Sequence, residues 1–361
     1  MTTAPRELDV VVIGGGQSAL AVGFYLRRTG LSHVLLDCES GPGGAWRAVW
    51  PSLVLFSPPQ WSSLPGWFMP PGANEYPTRA ELLDYLASYE RRYALPIERS
   101  VQVLGVHRDG DRLRVETDAG DISARAVVSA TGTAHNPVRP VIPGRERFRG
   151  RVLHSSEYAG PTSFVDHRVV VVGGGNSGAQ IVAELSRVAD VRWATQTPPR
   201  FLPDGIDGRA LFEQASARFR AMQEGRETLP PRSLGDVVMV QSLREARARG
   251  ALRSVPMFVR FTKTGVVWPD DREERVDAVL FATGFLPSLG HLAPLDLPAA
   301  DGRIPVEGTR AVDEPRLWLV GYGDWTGYAS ATLIGVGRSA RATVAEIVAA
   351  IPVASAPYER D

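Results

Sequence analysis

Cysteine is nearly absent. Cys38 is the only one in 361 residues, so no intrachain disulfide can form and nothing points to an oxidising compartment. The same count excludes a Cys-x-x-Cys redox pair, a thiolate zinc site and an intrachain three-thiol site. Lysine is just as scarce: Lys263 stands alone among many arginines, a bias read as genome composition. Net charge is also missing, with 40 basic and 40 acidic residues. That removes the electrostatic case for nucleic acid or an anionic membrane as main partner. No long apolar run is present. The stretch Val10 to Ile13 is short and ends in glycines, so it reads as a strand and not as a signal peptide or membrane span. His33, His107, His135, His154, His167 and His291 lack His-x3-His spacing. Neither a metal cluster nor a Ser/His/Asp or Cys/His constellation is expected. What remains is a cytoplasmic protein, 44% hydrophobic and 22% charged, long enough for two domains or three.

Glycine, by contrast, is concentrated in two places. "LDVVVIGGGQSALAVGFYLRRTGLSHVLLDCES" reads as a strand (Leu8 to Ile13), a turn, a helix (Ser18 to Arg28) and a second strand (Val34 to Leu36) ending at Asp37. Within it, Gly14-x-Gly16-x-x-Ala19 has the form of a dinucleotide cradle. Gly14 permits the tight turn, Gly16 leaves room for a pyrophosphate, and Ala19 lets helix and strand pack closely. The helix start offers unpaired N–H groups and a favourable dipole. Asp37 stands where a carboxylate accepts from ribose hydroxyls. The pattern recurs in "HRVVVVGGGNSGAQIVAELSRVADVRWATQTPPR", with Gly173-x-Gly175-x-x-Gly178 between a strand and a helix. Here no carboxylate closes the unit. The strand (Val191 to Ala194) runs into Thr195, Gln196, Thr197 and then Arg200. An arginine pairs with a 2′-phosphate that an acid would repel, so NADPH is preferred, with NADH open. Two cradles imply two dinucleotides, read as FAD and a nicotinamide cofactor that reduces it.

The expected fold class is α/β, with two Rossmann-like dinucleotide-binding domains arranged as in a glutathione reductase-like two-domain flavoprotein. Residues 1–157 and 286–361 are assigned to the FAD-binding domain, and 158–285 to an inserted NAD(P)H-binding domain. "TRAELLDYLASYERRY" reads as a surface helix behind a threonine cap. Strands are expected at Ile97 to Val106 and Arg112 to Thr117. "VVSATGT" and "FATGF" each end a buried strand at a Thr-Gly, where the chain crosses between domains. The Arg-rich stretch Ala210 to Glu227 reads as a solvated amphipathic face. The last strand and long helix return to the first unit, with the helix start near Ser330 to Leu333 aimed at the flavin.

Between the halves lies "FRGRVLHSSEY". Its Phe148, Gly150, His154 and Tyr158 match the identifying motif of the class B flavin-dependent monooxygenases, which the chain resembles over nearly its whole length. That group includes flavin-containing monooxygenases, the plant YUCCA enzymes and Baeyer–Villiger monooxygenases. "VVGGGNSG", "GGAW" and "FATGF" match further motifs of it. "LFSPPQWSSLPGW" and "PPRFLPDGIDGR" resemble the small bacterial branch encoded in arsenic- and metal-resistance operons. The resemblance implies that NADPH reduces FAD and that O2 adds at the flavin C4a carbon. One oxygen atom then passes to a small soft nucleophile (nitrogen, sulfur or an organoarsenical) or to a carbonyl. The alternatives are an NAD(P)H oxidase or flavin-dependent reductase without oxygenation, and a non-catalytic flavoprotein.

The resemblance also implies contacts. For FAD they are Gly14, Gly16, Gln17, Ser18, Asp37, Gly44, Trp46, Gln60, Val103, Ala130, Thr131, Gly132, Gly323, Asp324 and Thr332. For NADPH they are Gly173, Gly175, Asn176, Ser177, Gln196, Arg200, Ala282, Thr283 and Gly284. Phe148 and Gly150 would shape a turn, and His154 and Tyr158 would hold the interdomain linker. No catalytic residue is certain; Phe56, Ser57, Gln60 and His154 are candidates. An asparagine frequent in flavin-containing monooxygenases is replaced at Phe56. Trp50, Phe56, Trp61, Trp67, Phe68 and Trp325 are candidates for a cavity lining or for core packing. A small-molecule substrate and O2 are the expected partners, and a homodimer is left open.

Overall fold

A computed structural model of the chain describes residues 5–210, 212, 213, 217 and 236–351. The Arg-rich stretch expected to 227 lies largely outside them. β1 (Arg6–Ile13) carries four consecutive buried side chains at its end, as a strand covered on both faces requires. α1 (Gln17–Leu26) follows, then β2 (His33–Asp37). α2 (Arg79–Tyr93) starts at a complete capping box, in which Thr78 accepts from the Glu81 N–H and Glu81 accepts from the Thr78 N–H.

One strand expected from Ile97 to Val106 is two: β3 (Ile97–Arg99) and β4 (Val103–Asp109). Ser100 divides them in the left-handed region at φ 56°, which ends strand geometry. β5 (Arg112–Thr117) and β6 (Ile122–Ser129) complete this part.

The second half holds β7 (Arg151–His154), β8 (Arg168–Val172), α3 (Asn176–Leu185) and β9 (Asp190–Thr195). α4 (Gln241–Ala248), β10 (Ser254–Pro256), β11 (Arg260–Phe261), β12 (Gly265–Val267), β13 (Glu273–Arg275) and β14 (Ala278–Phe281) follow. The chain then gives β15 (Val306–Glu307), β16 (Arg310–Ala311), β17 (Leu317–Leu319) and α5 (Val336–Ala350).

Two large sheets result. The first has the order β15-β16-β17-β6-β1-β2-β3, with β5 pairing β6 and β4. The second, order β10-β9-β8-β14-β7, is parallel throughout. It takes in β7, so its chain begins ahead of residue 158. A small antiparallel sheet holds β11 to β13. In the first sheet Ile13 pairs with Leu36 and Ser129, and Leu319 with Ser129. These carboxyl ends form one edge, the edge at which open α/β sheets bind ligands. The core beneath it joins Leu20 of α1, Leu35, Tyr89 of α2, and Ala340 and Ile347 of α5, all fully buried. Each large aliphatic side chain so placed contributes about 1.5–3 kcal/mol.

Two segments join the halves, and they pair. Val138 N–H donates to Gly284 O (2.9 Å), Leu286 N–H to Asn136 O (2.8 Å), and Ser288 N–H to Gly132 O (2.9 Å). The two Thr-Gly exits therefore form one antiparallel ribbon.

Candidate active site

Three cavities lie along this frame. The first, of about 1280 Å³, opens over the carboxyl edge of the first sheet and is lined by Gly14 to Ser18, Asp37, Gly44 and Trp46. Val103, Ala130, Thr131 and Gly132 also line it. The second, of about 1010 Å³, is lined by Gly173 to Gly175, Gln196, Arg200, Ala282 and Thr283. The third, of about 350 Å³, shares Ala45, Trp46, Thr133, Ala134 and Ala331 with the first and takes Asn176 and Ser177 from the first turn of α3.

The glycines of each cradle do separate jobs. A Cβ on Gly14 would lie 2.5 Å from Ala130 O, and one on Gly173 2.2 Å from Ala282 O. Both residues also have positive φ, 118° and 128°. These two glycines serve the fold. The middle glycines do not. A Cβ on Gly175 would meet nothing within 4 Å, and one on Gly16 only Gly44 Cα at 3.7 Å. Their bareness keeps the cavity wall flat toward something other than protein. α1 and α3 moreover start without a side-chain cap, unlike α2. Their first N–H groups are left for an anion at the wall. Both cradles thus fit the diphosphate of a dinucleotide.

Asp37 is 4% exposed and ion-paired to Arg99, which also reaches Glu90. Burial pushes the Asp37 carboxyl upward, against the pull of Arg99. Gln17 spans the cradle: it accepts from Trp46 Nε1 (3.0 Å) and donates to Ala331 O (2.8 Å). Behind Thr131 lies a buried chain that sequence spacing did not reveal. Thr131 Oγ1 donates to Ser288 O (2.7 Å) and so accepts from Tyr322 Oη (2.7 Å). Tyr322 then accepts from Ser129 Oγ (2.6 Å) and from the Thr131 N–H (3.1 Å). Ser129 in turn accepts from His291 Nε2 (3.1 Å). Burial lowers the His291 pKa to about 4, which keeps this donor neutral.

The linker motif is a clamp. A Cβ on Gly150 would lie 2.3 Å from the Phe148 ring, so the ring lies directly on the backbone. His154 is buried and accepts at Nδ1 from Ser156 N–H (3.2 Å), so its Nε2 donates to Gly284 O (3.1 Å). Burial lowers its pKa, matching a neutral ring with one fixed tautomer. Tyr158 Oη donates to Glu184 (3.0 Å), and the other Glu184 oxygen accepts from Ser52 (2.6 Å). His154 thus holds the return segment. Tyr158 joins α3 to the aromatic loop of the first half.

Other expected residues fall elsewhere. Gln60 is exposed and lines none of the three cavities, nor do Gly284, Gly323 and Asp324. Thr332, Phe56 and Ser57 line the third cavity. Asn176 spends its amide on the backbone, donating to Asp236 O (3.1 Å) and accepting from Val238 N–H (2.9 Å). Arg200 pairs with Asp236 (3.1 Å) and remains 72% exposed at the second cavity. Of the aromatics, Trp50, Phe56 and Trp61 line the third cavity. Trp67 instead packs on Tyr85, Trp325 packs on Tyr322, and Phe68 is exposed.

The family model described as pyridine nucleotide-disulphide oxidoreductase matches residues 11–204, more than half the chain. The chain belongs to the pyridine nucleotide-disulphide oxidoreductase family. Among its relatives is the solved flavin-containing monooxygenase from Stenotrophomonas maltophilia, 50% identical, with TM-score 0.87 over 96% of this chain and 99% of that one. An uncharacterized CzcO-like oxidoreductase of Geobacillus kaustophilus is 32% identical over 77% of this chain and 80% of its own. The indole-3-pyruvate monooxygenase YUCCA8 of Oryza sativa is 28% identical over 76% of this chain and 75% of its own. This family member is an oxidoreductase of the flavin monooxygenase type. Among the described residues, no helix is long and apolar enough to cross a membrane.

Proposed function

We propose that the chain is an FAD-dependent, NADPH-using monooxygenase acting on a small soft nucleophile or carbonyl compound. The observation that carries this reading is the third cavity, which shares Trp46, Ala134 and Ala331 with the first cavity and takes Asn176 and Ser177 from the first turn of α3 in the second cradle. FAD and NADPH would supply the reducing power and the O2 chemistry there, with one oxygen atom going to the substrate and the other leaving as water, and that chemistry calls for a closed, dry space.

In this reading the unit built from β1 to β6, β15 to β17 and α5 holds FAD, and the unit from β7 to β14 holds NADPH. The N–H groups opening α1 and α3 take the diphosphates, and Asp37 takes the ribose. Trp46, held by Gln17, closes the flavin end. Arg200 reads the 2′-phosphate from its exposed position beside Asp236. Among the described residues, the third cavity offers no side-chain nucleophile beyond hydroxyls and amides. Its part is therefore binding, orientation and exclusion of water.

The test is to reduce the purified, flavin-loaded protein with NADPH and mix it with oxygenated buffer. Oxygenated product with little peroxide supports the reading. One peroxide per NADPH, with or without substrate, makes the protein an oxidase. A colourless protein that refuses FAD removes the flavin altogether.

A further inference from the structure

The third cavity is enclosed by aromatic and aliphatic side chains, among them Trp50, Leu53, Phe56, Trp61 and Phe285. Its polar members are Ser, Thr, Asn, Gln and Tyr side chains, and among the described residues not one Asp, Glu, Lys, Arg or His lines it. The first two cavities differ in this respect: Asp37, Glu39 and His135 line one, and Arg200 and Asp236 the other. Among the described residues, charge is kept out of this one wall. An ion entering it would shed its water and meet no counter-charge, and such a group is strongly disfavoured. At about 350 Å³ the cavity also lies at the small end of ligand sites.

Resting on the functional reading above, we propose that the third cavity selects small uncharged substrates and rejects carboxylates and ammonium ions of the same skeleton. Gln180 is the point in the wall where that selection can be reversed. It projects from α3, its amide makes a long bond to Val54 O (3.4 Å), and its side chain has the length to be exchanged for a guanidinium.

Three matched probes test this on the flavin-loaded enzyme: thioanisole, 4-(methylthio)benzoate and 4-(methylthio)benzylamine. Trp46, Trp50 and Trp61 in the wall report binding by tryptophan fluorescence, independently of turnover. Thioanisole is expected to bind about 100-fold more tightly than either charged probe. Q180R should bring the benzoate to within about tenfold of thioanisole and leave the amine excluded. Ser156→Arg, from another part of the wall, serves where Q180R does not fold. Charged and neutral probes binding within tenfold of each other in the native protein would overturn the proposal, as would arginine variants that fold and still exclude the benzoate. Sulfoxide formation is followed separately. Selective binding without sulfoxide would sink the oxygenase reading and leave the charge selection standing.

Discussion

Two glycines at equivalent depth in the second cradle should fail in opposite ways when each is replaced by alanine. In Gly173→Ala the new Cβ sits 2.2 Å from Ala282 O, at φ 128°. Both the overlap and the conformation fall on backbone that cannot step aside. The strain alone costs about 1–3 kcal/mol, so the melting temperature should drop clearly. In Gly175→Ala the φ of −91° suits alanine, and the Cβ meets nothing within 4 Å. Stability should hold or rise by about 0.4–1 kcal/mol, because alanine restricts the unfolded chain. Under the proposed function the methyl would instead enter the space the dinucleotide needs. Crowding of that kind costs about 1–3 kcal/mol, or roughly 5- to 150-fold in Kd. Thermal unfolding and a titration of NADPH against flavin reduction, made on both variants, separate the effects. If Gly175→Ala melts as early as Gly173→Ala, or binds NADPH like the native protein, the division of labour argued for the glycines is wrong.

Three further outcomes are expected. Arg200→Ala should weaken NADPH about tenfold and NADH little; equal losses for both in parallel titrations would remove Arg200 as the phosphate reader. His291 is held neutral, with its pKa lowered from 6.5 to about 4. The unfolded chain therefore binds the extra proton across that window, and the contribution is complete above pH 6.5 and lost as pH falls toward 4. About 3 kcal/mol should disappear, and denaturant unfolding at several pH values should show this slope shrinking in His291→Gln. Tyr158→Phe leaves Glu184 bonded to Ser52 alone and should cost about 0.5–1.5 kcal/mol of stability by denaturant titration, with NADPH affinity unchanged.

Legibility in the sequence followed the distance over which each signal acts. The cradles were readable because strand, glycine turn and helix fall within one local stretch, even though Gly14 and Gly173 are required by the distant Ala130 and Ala282 backbones. The Thr78 cap was readable for the same reason. Ser100 was not, because its left-handed turn answers to contacts with Glu39 and Asp37 that no alternation of apolar residues records. The Tyr322 chain joins three separate segments, carrying Ser129 and Thr131, His291, and Tyr322 itself. Cys38, Glu39 and His135 likewise bring their ligand atoms within 4.8 Å of one another, although Cys38 and His135 are 97 residues apart. Only the folded chain shows such groups. Aromatic composition alone could not divide Trp61, which lines a cavity, from Trp67, which packs on Tyr85.

A body tethered at a single point can spin and drift; one tethered along a short two-stranded band can chiefly swing about the line of that band. Val138 with Gly284, and Ser288 with Gly132, make such a band here. Any movement of one half against the other would then be a swing on that one axis, and it would bring the same two surfaces face to face each time.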